Sequence, residues 1–244
     1  MSILKNQVAI ITGANRGIGH AIASSLAAEG MHLLLSARNM DKLNRLTSIL
    51  SEQYPNQKIL ALACDVQNPE AVNALADRAI TEFGKIEVLI NNAGVAPKIG
   101  LLQECSIDDI NNTIDTNLKG PIYAMKAVLP HMTSLGTGTI ININSVAGKT
   151  AYPFWAIYAA SKFGLFAITE AVAEEQRSNG IRVVGIHPGA VATEIWDSVD
   201  MQQAPDPRGM LQAQNVADAV LYALKQPQHV LVSDITVMPT KPAL

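Results

Sequence analysis

Short apolar runs alternate with longer amphipathic segments along this chain, and this alternation limits the possible folds most strongly. The runs are too short for helices and apolar almost throughout, which is typical of strands covered on both faces. The predicted strands are 8–11, 33–35, 59–63, 86–90, 139–143, 183–187 and a segment within 230–238. Strand, helix and strand in repetition favour right-handed crossovers and a parallel sheet. The sequence therefore predicts an α/β fold: a single doubly wound (Rossmann) domain of about seven parallel strands with helices on both faces.

The segments between these runs carry a helical pattern. Ile22 and Leu26 lie four residues apart, and Gly30 follows where a helix C-terminus favours a residue with a left-handed backbone. Further helices are predicted over 107–131, 156–177 and 215–224. Pro121 lies inside the first of these and removes a backbone donor, so we expect that helix to bend or break near Asn117.

Length and composition limit the number of domains and the kinds of partner. The chain has 244 residues, 48% of them hydrophobic and 16% charged, so one large core accounts for residues 1–244 as a single domain. The net charge of −3 offers no surface for nucleic acid or an anionic membrane. The amino terminus lacks the pattern of a secretory signal and no apolar run approaches a membrane span, so we predict a cytoplasmic protein.

Two further expectations concern metals and mobility. The histidines and cysteines show no metal-ligand spacing, so no metal site is expected. The segment 193–212 contains Pro205, Pro207 and Gly209 without clear periodicity. Such a segment is predicted to be a mobile flap over a substrate.

A glycine-rich turn connects the first predicted strand to the first predicted helix. Its sequence, TGANRGIG at 12–19, lets the backbone approach a ligand closely, and the following helix presents unpaired N–H groups to phosphate. An ordinary strand-to-helix turn is the alternative. The position after the first strand of a βαβ unit favours a pyrophosphate cradle for a dinucleotide. The candidate residues are Gly13, Asn15, Arg16, Gly17, Ile18 and Gly19.

Further motifs follow in a fixed order along the chain. They are Asn91-Asn92-Ala93-Gly94 after the fourth strand, Asn117 in the next helix, Ser145 after the fifth strand, Tyr158-Ala159-Ala160-Ser161-Lys162 opening a long helix, and Pro188-Gly189 ending the sixth strand. With the glycine loop, these motifs make the chain resemble the short-chain dehydrogenases/reductases, and among them the NADP(H)-dependent carbonyl reductases and 3-oxoacyl reductases. The resemblance implies hydride transfer between a nicotinamide cofactor and a carbonyl or alcohol.

The end of the second predicted strand bears on which nicotinamide cofactor is used. It reads SARN from Ser36 to Asn39, where NAD-binding folds carry an acidic residue for the ribose 2′-hydroxyl. The guanidinium of Arg38 can instead bind the 2′-phosphate of NADP through charge-assisted hydrogen bonds, and Arg16 can approach from the glycine loop. The alternative is that both arginines are solvated surface groups. The sequence therefore predicts NADP(H), with Arg38, Asn39 and Arg16 at the phosphate.

The resemblance implies further cofactor contacts. It places Asp65 and Val66 at the adenine, with a turn or helix-entry role for Asp65 as the alternative. The other residues that it implies are Asn92, Ala93 and Gly94 along the adenosine-side ribose and the central strands, and Pro188, Gly189, Val191, Thr193, Tyr158 and Lys162 at the nicotinamide end.

Tyr158 and Lys162 lie four residues apart, on one face of the predicted helix. A cation about 4 Å from the hydroxyl is worth roughly 4 kcal/mol, so we expect Lys162 to lower the pKa of Tyr158 from about 10 to as low as about 7. Ser145 is expected to donate to the substrate oxygen, and by resemblance Asn117 supports a water-linked proton path to Lys162. Packing or capping explains each residue alone. Together they predict Tyr158 as the general acid and base.

Apolar residues flank the reactive positions and predict a hydrophobic substrate wall, with ordinary core packing as the alternative. The predicted substrate-binding residues are Ser145, Ala147, Trp155, Tyr158, Ile195 and Trp196. The flap is acidic, with Glu194, Asp197, Asp200 and Asp206 against Arg208. An acidic carrier protein favours a basic surface. We therefore predict a small, uncharged carbonyl or alcohol, with reduction of 3-oxoacyl groups on acyl carrier protein as the alternative.

A different class of function also fits the fold: a non-catalytic NADP-sensing or scaffold protein. Loss of the tyrosine, lysine or serine would favour that class, and none is lost. Apolar residues on several faces of the helix predicted over 156–177 indicate a homodimer or homotetramer. The C-terminus lacks a glycine-rich tail, which puts a tail-built tetramer contact in doubt.

Overall fold

The computed structural model describes residues 2–97, 99–198 and 206–240. Within these residues, seven parallel strands form one sheet in the order β3-β2-β1-β4-β5-β6-β7. The strands are β1 (Val8–Thr12), β2 (His32–Ala37), β3 (Ile59–Ala63), β4 (Val88–Asn91), β5 (Gly138–Ile143), β6 (Ile181–Pro188) and β7 (Asp234–Val237). The predicted doubly wound fold is confirmed, and each predicted strand overlaps one of these.

Helices cover both faces of the sheet. They are α1 (Gly17–Ala28), α2 (Met40–Gln53), α3 (Pro69–Phe83), α4 (Ile107–Ile114), α5 (Gly120–Leu135), α6 (Ala156–Gln176) and α7 (Ala213–Leu224). Side chains alternate across a strand, so Ala9 and Ile11 of β1 enter the core under α1, α2 and α7, whereas Ile10 enters the core under α3, α5 and α6. The sheet therefore separates two hydrophobic cores.

The predicted irregularity near Asn117 is confirmed. α4 ends at Ile114, Asp115–Lys119 form a π-helical turn, and α5 begins at Gly120. Pro121 stands in the first turn of α5, where a missing N–H costs little. The wider π turn buries the side chain of Asn117 completely, and this places the residue beneath the loop that follows β4.

The predicted flap at 193–212 lies only partly within the described residues, because 199–205, including Asp200 and Pro205, fall outside them. Its start, Glu194–Ser198, is a short 3₁₀ helix. Its far end is anchored: Leu211 donates its N–H to Ala190 O at 2.9 Å, and Ala192 donates to Leu211 O at 2.8 Å. Mobility of the segment between these anchors stays a prediction.

The prediction that no apolar run approaches a membrane span needs correction at α6. With the turn that extends it to Asn179, it is long and apolar enough to cross a membrane, at a mean hydropathy of 1.3. Core helices pass the same test, and α6 packs against β6 and α4, so this is weak evidence for a membrane span. Phe163 on α6 is 40% exposed, and assembly through this helix stays a prediction.

Candidate active site

A cavity of about 420 Å³ runs along the carboxyl ends of the strands, from the glycine loop to the start of α6. It opens where the strand order reverses between β1 and β4, the usual ligand crevice of such sheets. Of the predicted site residues, only Gly19 and Asn117 do not line it. The fold therefore brings together side chains from the ends of six strands.

The glycine loop is shaped by contacts that exclude side chains. Gly17 has a φ of +53°, and a Cβ at Gly19 would lie 2.3 Å from the carbonyl oxygen of Gly13. Gly19 therefore serves the turn rather than the cavity wall. The loop leaves the backbone at the start of α1 open toward the cavity, which fits a pyrophosphate group.

Asn92 directly follows β4 and holds the glycine loop in place through hydrogen bonds. Its Nδ2 donates to the carbonyl oxygens of Thr12 and Gly13, both at 3.0 Å. The hydroxyl of Thr12 accepts the N–H groups of Asn92 at 3.0 Å and Ala93 at 3.1 Å. Thr12 is a structural contributor that motif spacing did not single out, because its partners lie far away in sequence.

Cationic side chains gather at the end of the cavity beyond β2. Arg16, Arg38 and Asn39 line it as predicted, and so does Lys42, which the sequence analysis missed. The Asn39 side chain accepts the N–H of Lys42 at 3.0 Å and thereby caps α2. Lys42 lies in the first turn of α2, and its closeness in sequence to Arg38 and Asn39 was the available signal. The charges and hydrogen-bond donors fit a 2′-phosphate.

Asp65 follows β3 and also lines the cavity. Its Oδ1 accepts the N–H of Gln67 at 3.1 Å, so the turn role is present. Val66 packs against the start of α5, where a Cβ at Gly120 would lie 2.9 Å from Val66 Cγ2. Contact of Asp65 or Val66 with the adenine stays a prediction.

Ser145 both caps a short turn and presents its side chain to the cavity. It caps the 3₁₀ turn Val146–Gly148, in which its Oγ accepts the N–H of Ala147 at 3.1 Å. Its side chain lines the cavity together with Tyr158, and hydrogen bonding from Ser145 lowers the pKa of the Tyr158 hydroxyl. The Oγ proton is therefore free to point toward Tyr158 while the turn holds the oxygen.

The electrostatics of Tyr158 and Lys162 differ from the expectation based on spacing. Burial raises the pKa of Tyr158, and the Ser145 hydrogen bond lowers it in part. Lys162 Nζ lies 5.8 Å from the Tyr158 ring centre and donates to the carbonyl oxygen of Ile143 at 3.0 Å. The prediction that Lys162 lowers the pKa of Tyr158 is therefore wrong. Desolvation of the Tyr158 hydroxyl outweighs any attraction that the Lys162 ammonium exerts at this distance.

Burial also acts on Lys162 itself. The side chain is 5% exposed, and burial lowers its pKa from 10.5 to about 8. A lysine with this pKa remains mostly protonated at neutral pH but gives up its proton more readily than a surface lysine. It is therefore suited both to hold a charge in the site and to exchange a proton.

The side chain of Asn117 bonds to the loop after β4 and to α6, and not to Lys162. Its Oδ1 accepts the N–H of Val95 at 2.8 Å, and its Nδ2 donates to Val95 O at 2.8 Å and to Ser161 Oγ at 3.2 Å. The side chain therefore ties the loop after β4 to α6. The water-linked path stays a prediction, and the side chain does not supply a free donor to it.

Aromatic rings form the wall beside Tyr158. Trp155 contacts Tyr158 edge-on at 5.5 Å between ring centres and contacts Trp196 at 5.9 Å. Trp196 Nε1 donates to Val191 O at 2.8 Å, which leaves its polar atom satisfied. Ala147, Ile195 and Tyr152 line the same region. The predicted substrate side of the cavity is therefore apolar and uncharged at these positions.

The first acid of the flap lies by the phosphate cradle and not by this wall. Glu194 lines the cavity, and its Oε2 would lie 3.6 Å from a Cβ at Gly17. Arg208 is held by Asp206 at 2.8 Å, so it offers little free positive charge. In the described ranges 2–97, 99–198 and 206–240, no group of three or more His, Cys, Asp or Glu side chains is placed to hold a metal ion.

Comparison with known proteins agrees with this geometry. The family model described as short chain dehydrogenase matches residues 7–204. An uncharacterized oxidoreductase of Staphylococcus saprophyticus is 36% identical, with all of both chains covered. Another, from Staphylococcus aureus, is 37% identical over 98% of this chain and 100% of its own length.

Solved structures show the same fold. An alcohol dehydrogenase of the archaeon Thermococcus sibiricus, complexed with 5-hydroxy-NADP, superposes with a TM-score of 0.89 at 29% identity, covering 98% of this chain and 99% of that one. A metagenomic short-chain oxidoreductase in complex with NADP gives 0.84 at 32% identity, covering 98% and 99%. Levodione reductase gives 0.86 at 27% identity, covering 96% of each chain.

The chain belongs to the short-chain dehydrogenase family. Within that family it is an oxidoreductase, and it has a single Rossmann-like domain.

Proposed function

We propose that this oxidoreductase transfers a hydride between NADP(H) and a small, uncharged carbonyl or alcohol, with Tyr158 as the general acid and base. One observation carries the proposal: Ser145, Tyr158 and Lys162 line the same cavity as the cations Arg16 and Arg38. A single extended cofactor can span both ends of such a cavity. The glycine loop between them supplies the backbone shape that a pyrophosphate needs.

The residues divide the reaction between them. Bound NADPH supplies the hydride to the carbonyl carbon. Ser145 donates a hydrogen bond to the substrate oxygen and stabilises the charge that develops there. Tyr158 transfers its hydroxyl proton to that oxygen, which yields the alcohol and leaves a tyrosinate. Lys162 stabilises the tyrosinate charge and can return a proton to it. Oxidation reverses each transfer.

Similar proteins support the cofactor and reaction class. The alcohol dehydrogenase of Thermococcus sibiricus is complexed with 5-hydroxy-NADP, and the metagenomic oxidoreductase is in complex with NADP. The third similar structure is a reductase, of levodione. These proteins make NADP(H) and a carbonyl or alcohol substrate the first choices for this chain.

NADPH is expected to be preferred over NADH, because Arg16, Arg38 and Lys42 line the cavity end that fits the 2′-phosphate. Arg38→Asp replaces attraction by repulsion there and should lower the NADPH-to-NADH ratio of specificity constants by about 100-fold or more. The ratio is measured with one reducible ketone. Arg45→Asp is the matched control, since Arg45 is exposed on α2 and does not line the cavity. Equal use of both cofactors by the wild type would refute the assignment.

Small, uncharged ketones and aldehydes are expected to be better substrates than carrier-bound acyl groups. The described wall residues Ala147, Trp155 and Trp196 carry no charge, and Arg208 is paired with Asp206. A panel of ketones, aldehydes, alcohols and 3-oxoacyl thioesters is assayed by NADPH absorbance, with one 3-oxoacyl group presented both on a small thiol and on acyl carrier protein. Similar turnover of the two forms is expected. A large advantage for the carrier-bound form would favour the 3-oxoacyl reductase alternative.

The scaffold alternative gives a different result in the same panel. A non-catalytic NADP-sensing protein would bind NADPH, measurable by fluorescence, but turn over no carbonyl in the panel. Ser145, Tyr158 and Lys162 all face one cavity, and a protein that only binds cofactor has no need of these three side chains together. This arrangement favours the enzyme.

A further inference from the structure

The backbone ladder between β5 and β6 changes just before the reacting residues. Ile143 pairs with Ile186, and the N–H of Asn144 still donates to Ile186 O at 2.7 Å. The next donor that β6 would present to β5 is at Pro188, and proline has no N–H. Ser145, which follows Asn144, therefore lies where the regular pairing of the two strands ends.

A side chain provides a contact at this point. His187 is fully buried, and its Nδ1 lies 3.3 Å from the carbonyl oxygen of Ser145. A carbonyl only accepts, so the ring proton is assigned to Nδ1. Nε2 has no hydrogen-bond partner among the described residues. Burial is the main cause that lowers the pKa of His187, which favours the neutral ring, and Lys149 adds to it.

The ring is held tightly in this orientation. Phe166 of α6 contacts the imidazole edge-on, with 5.4 Å between ring centres. A Cβ at Gly185 would lie 2.7 Å from Nε2, so the absence of a side chain at Gly185 makes room for the ring. The charged pair of Lys149 and Asp234 lies nearby and acts on the ring electrostatically. The imidazole therefore has little freedom to turn away from Ser145.

We infer that His187 is a positioning residue for the reaction: its imidazole N–H holds the Ser145 carbonyl and thereby keeps Ser145 Oγ aligned on the Tyr158 hydroxyl. The inference rests on the proposed function, because it assigns His187 an effect only through Ser145. The Ser145 backbone is held by His187 on one side, and its Oγ by the Ala147 N–H on the other. Loss of the first contact lets the residue tilt while the second persists.

Three substitutions of His187 distinguish the effect of the Nδ1 N–H donor from the effect of the imidazole ring itself. His187→Asn keeps an N–H donor close to the position of Nδ1, whereas His187→Gln places its amide close to Nε2. His187→Ala removes both. We expect the hydride-transfer rate in single turnover to fall on the order of 10-fold in His187→Ala and His187→Gln, as for the loss of one buried hydrogen bond, and to be largely restored in His187→Asn.

NADPH binding provides the control, because His187 directly precedes Pro188 and Gly189 in the cavity wall. Its dissociation constant, measured by fluorescence, should stay within about twofold of the wild type in all three variants. If it rises as much as the rate falls, His187 acts on the cofactor segment and the inference is wrong. If His187→Ala does not fold, the comparison of His187→Asn with His187→Gln decides, and equal rates in these two would overturn the inference.

A double-mutant cycle tests the route through Ser145. In a Ser145→Ala background, His187→Ala should cause no further loss of rate, because the aligned hydroxyl is already absent. A general disturbance of the sheet would instead multiply the two losses, and that outcome overturns the inference. If Ser145→Ala alone keeps full activity, the proposed function itself fails. If Ser145→Ala loses activity and His187→Ala does not, only the inference about His187 fails.

Discussion

Replacing Tyr158 with phenylalanine is expected to lower turnover by at least about 100-fold, the usual contribution of a general acid. The change removes one hydroxyl and almost no volume, so the packing against Trp155 should persist. The variant therefore lacks the hydroxyl that the proposal makes the proton donor to the substrate oxygen. The fold, judged by circular dichroism and melting temperature, and the NADPH dissociation constant should remain close to those of the wild type.

Tyr152→Phe is the matched control for this experiment. Tyr152 lines the same cavity, but no lysine follows it at four residues. It should therefore keep most of its activity. If Tyr158→Phe retains more than about a hundredth of the wild-type rate, another residue supplies the proton. If Tyr152→Phe loses the activity instead, the acid has been assigned to the wrong tyrosine.

Lys162→Met is expected to abolish turnover and yet to stabilise the cofactor-free protein at pH 7. Burial lowers the pKa of Lys162 from 10.5 to about 8, so at pH 7 the fold carries a disfavoured buried cation. The shift corresponds to about 3 kcal/mol, and loss of the hydrogen bond to Ile143 O offsets about 1 kcal/mol of it. The variant should therefore show a free energy of unfolding higher by about 2 kcal/mol.

The pH dependence of this gain has a defined sign. Between pH 8 and 10.5 the unfolded lysine binds a proton that the folded one has released, so the stability of the wild type rises with pH across this window. The difference in free energy of unfolding between Lys162→Met and the wild type should accordingly shrink across this window and vanish near pH 10.5. Urea unfolding of both proteins at pH 7 and pH 10 measures it.

Lys126→Met serves as the control for the lysine experiment, because Lys126 is exposed on α5. It should show no such pH-dependent difference from the wild type. A Lys162→Met protein that is less stable than the wild type at pH 7 would contradict the depressed pKa. Lys162→Met should also weaken NADPH binding, because the ammonium group of Lys162 is expected to hold the nicotinamide ribose. Tyr158→Phe should not have this effect.

Strand positions could be predicted from hydropathy, but their limits could not. The apolar run 33–35 became β2, His32–Ala37, because the ladder with β1 runs from His32 to Ser36 and the ladder with β3 extends to Ala37. Ile86 is fully buried although it precedes β4, Val88–Asn91. Burial and ladder pairing are separate requirements, and a hydropathy pattern reports only the first.

The sequence by itself determined the doubly wound fold, the order of the motifs and the gathering of Tyr158, Lys162 and Ser145 at one edge of the sheet. It could do so because strand and helix periods are local, and parallel strands place their carboxyl ends together. Only the tertiary structure decided that Lys162 donates to Ile143, that the pKa of Tyr158 is raised, and that His187 contacts Ser145. These outcomes depend on desolvation and on distances between atoms remote in sequence, which no spacing along the chain encodes.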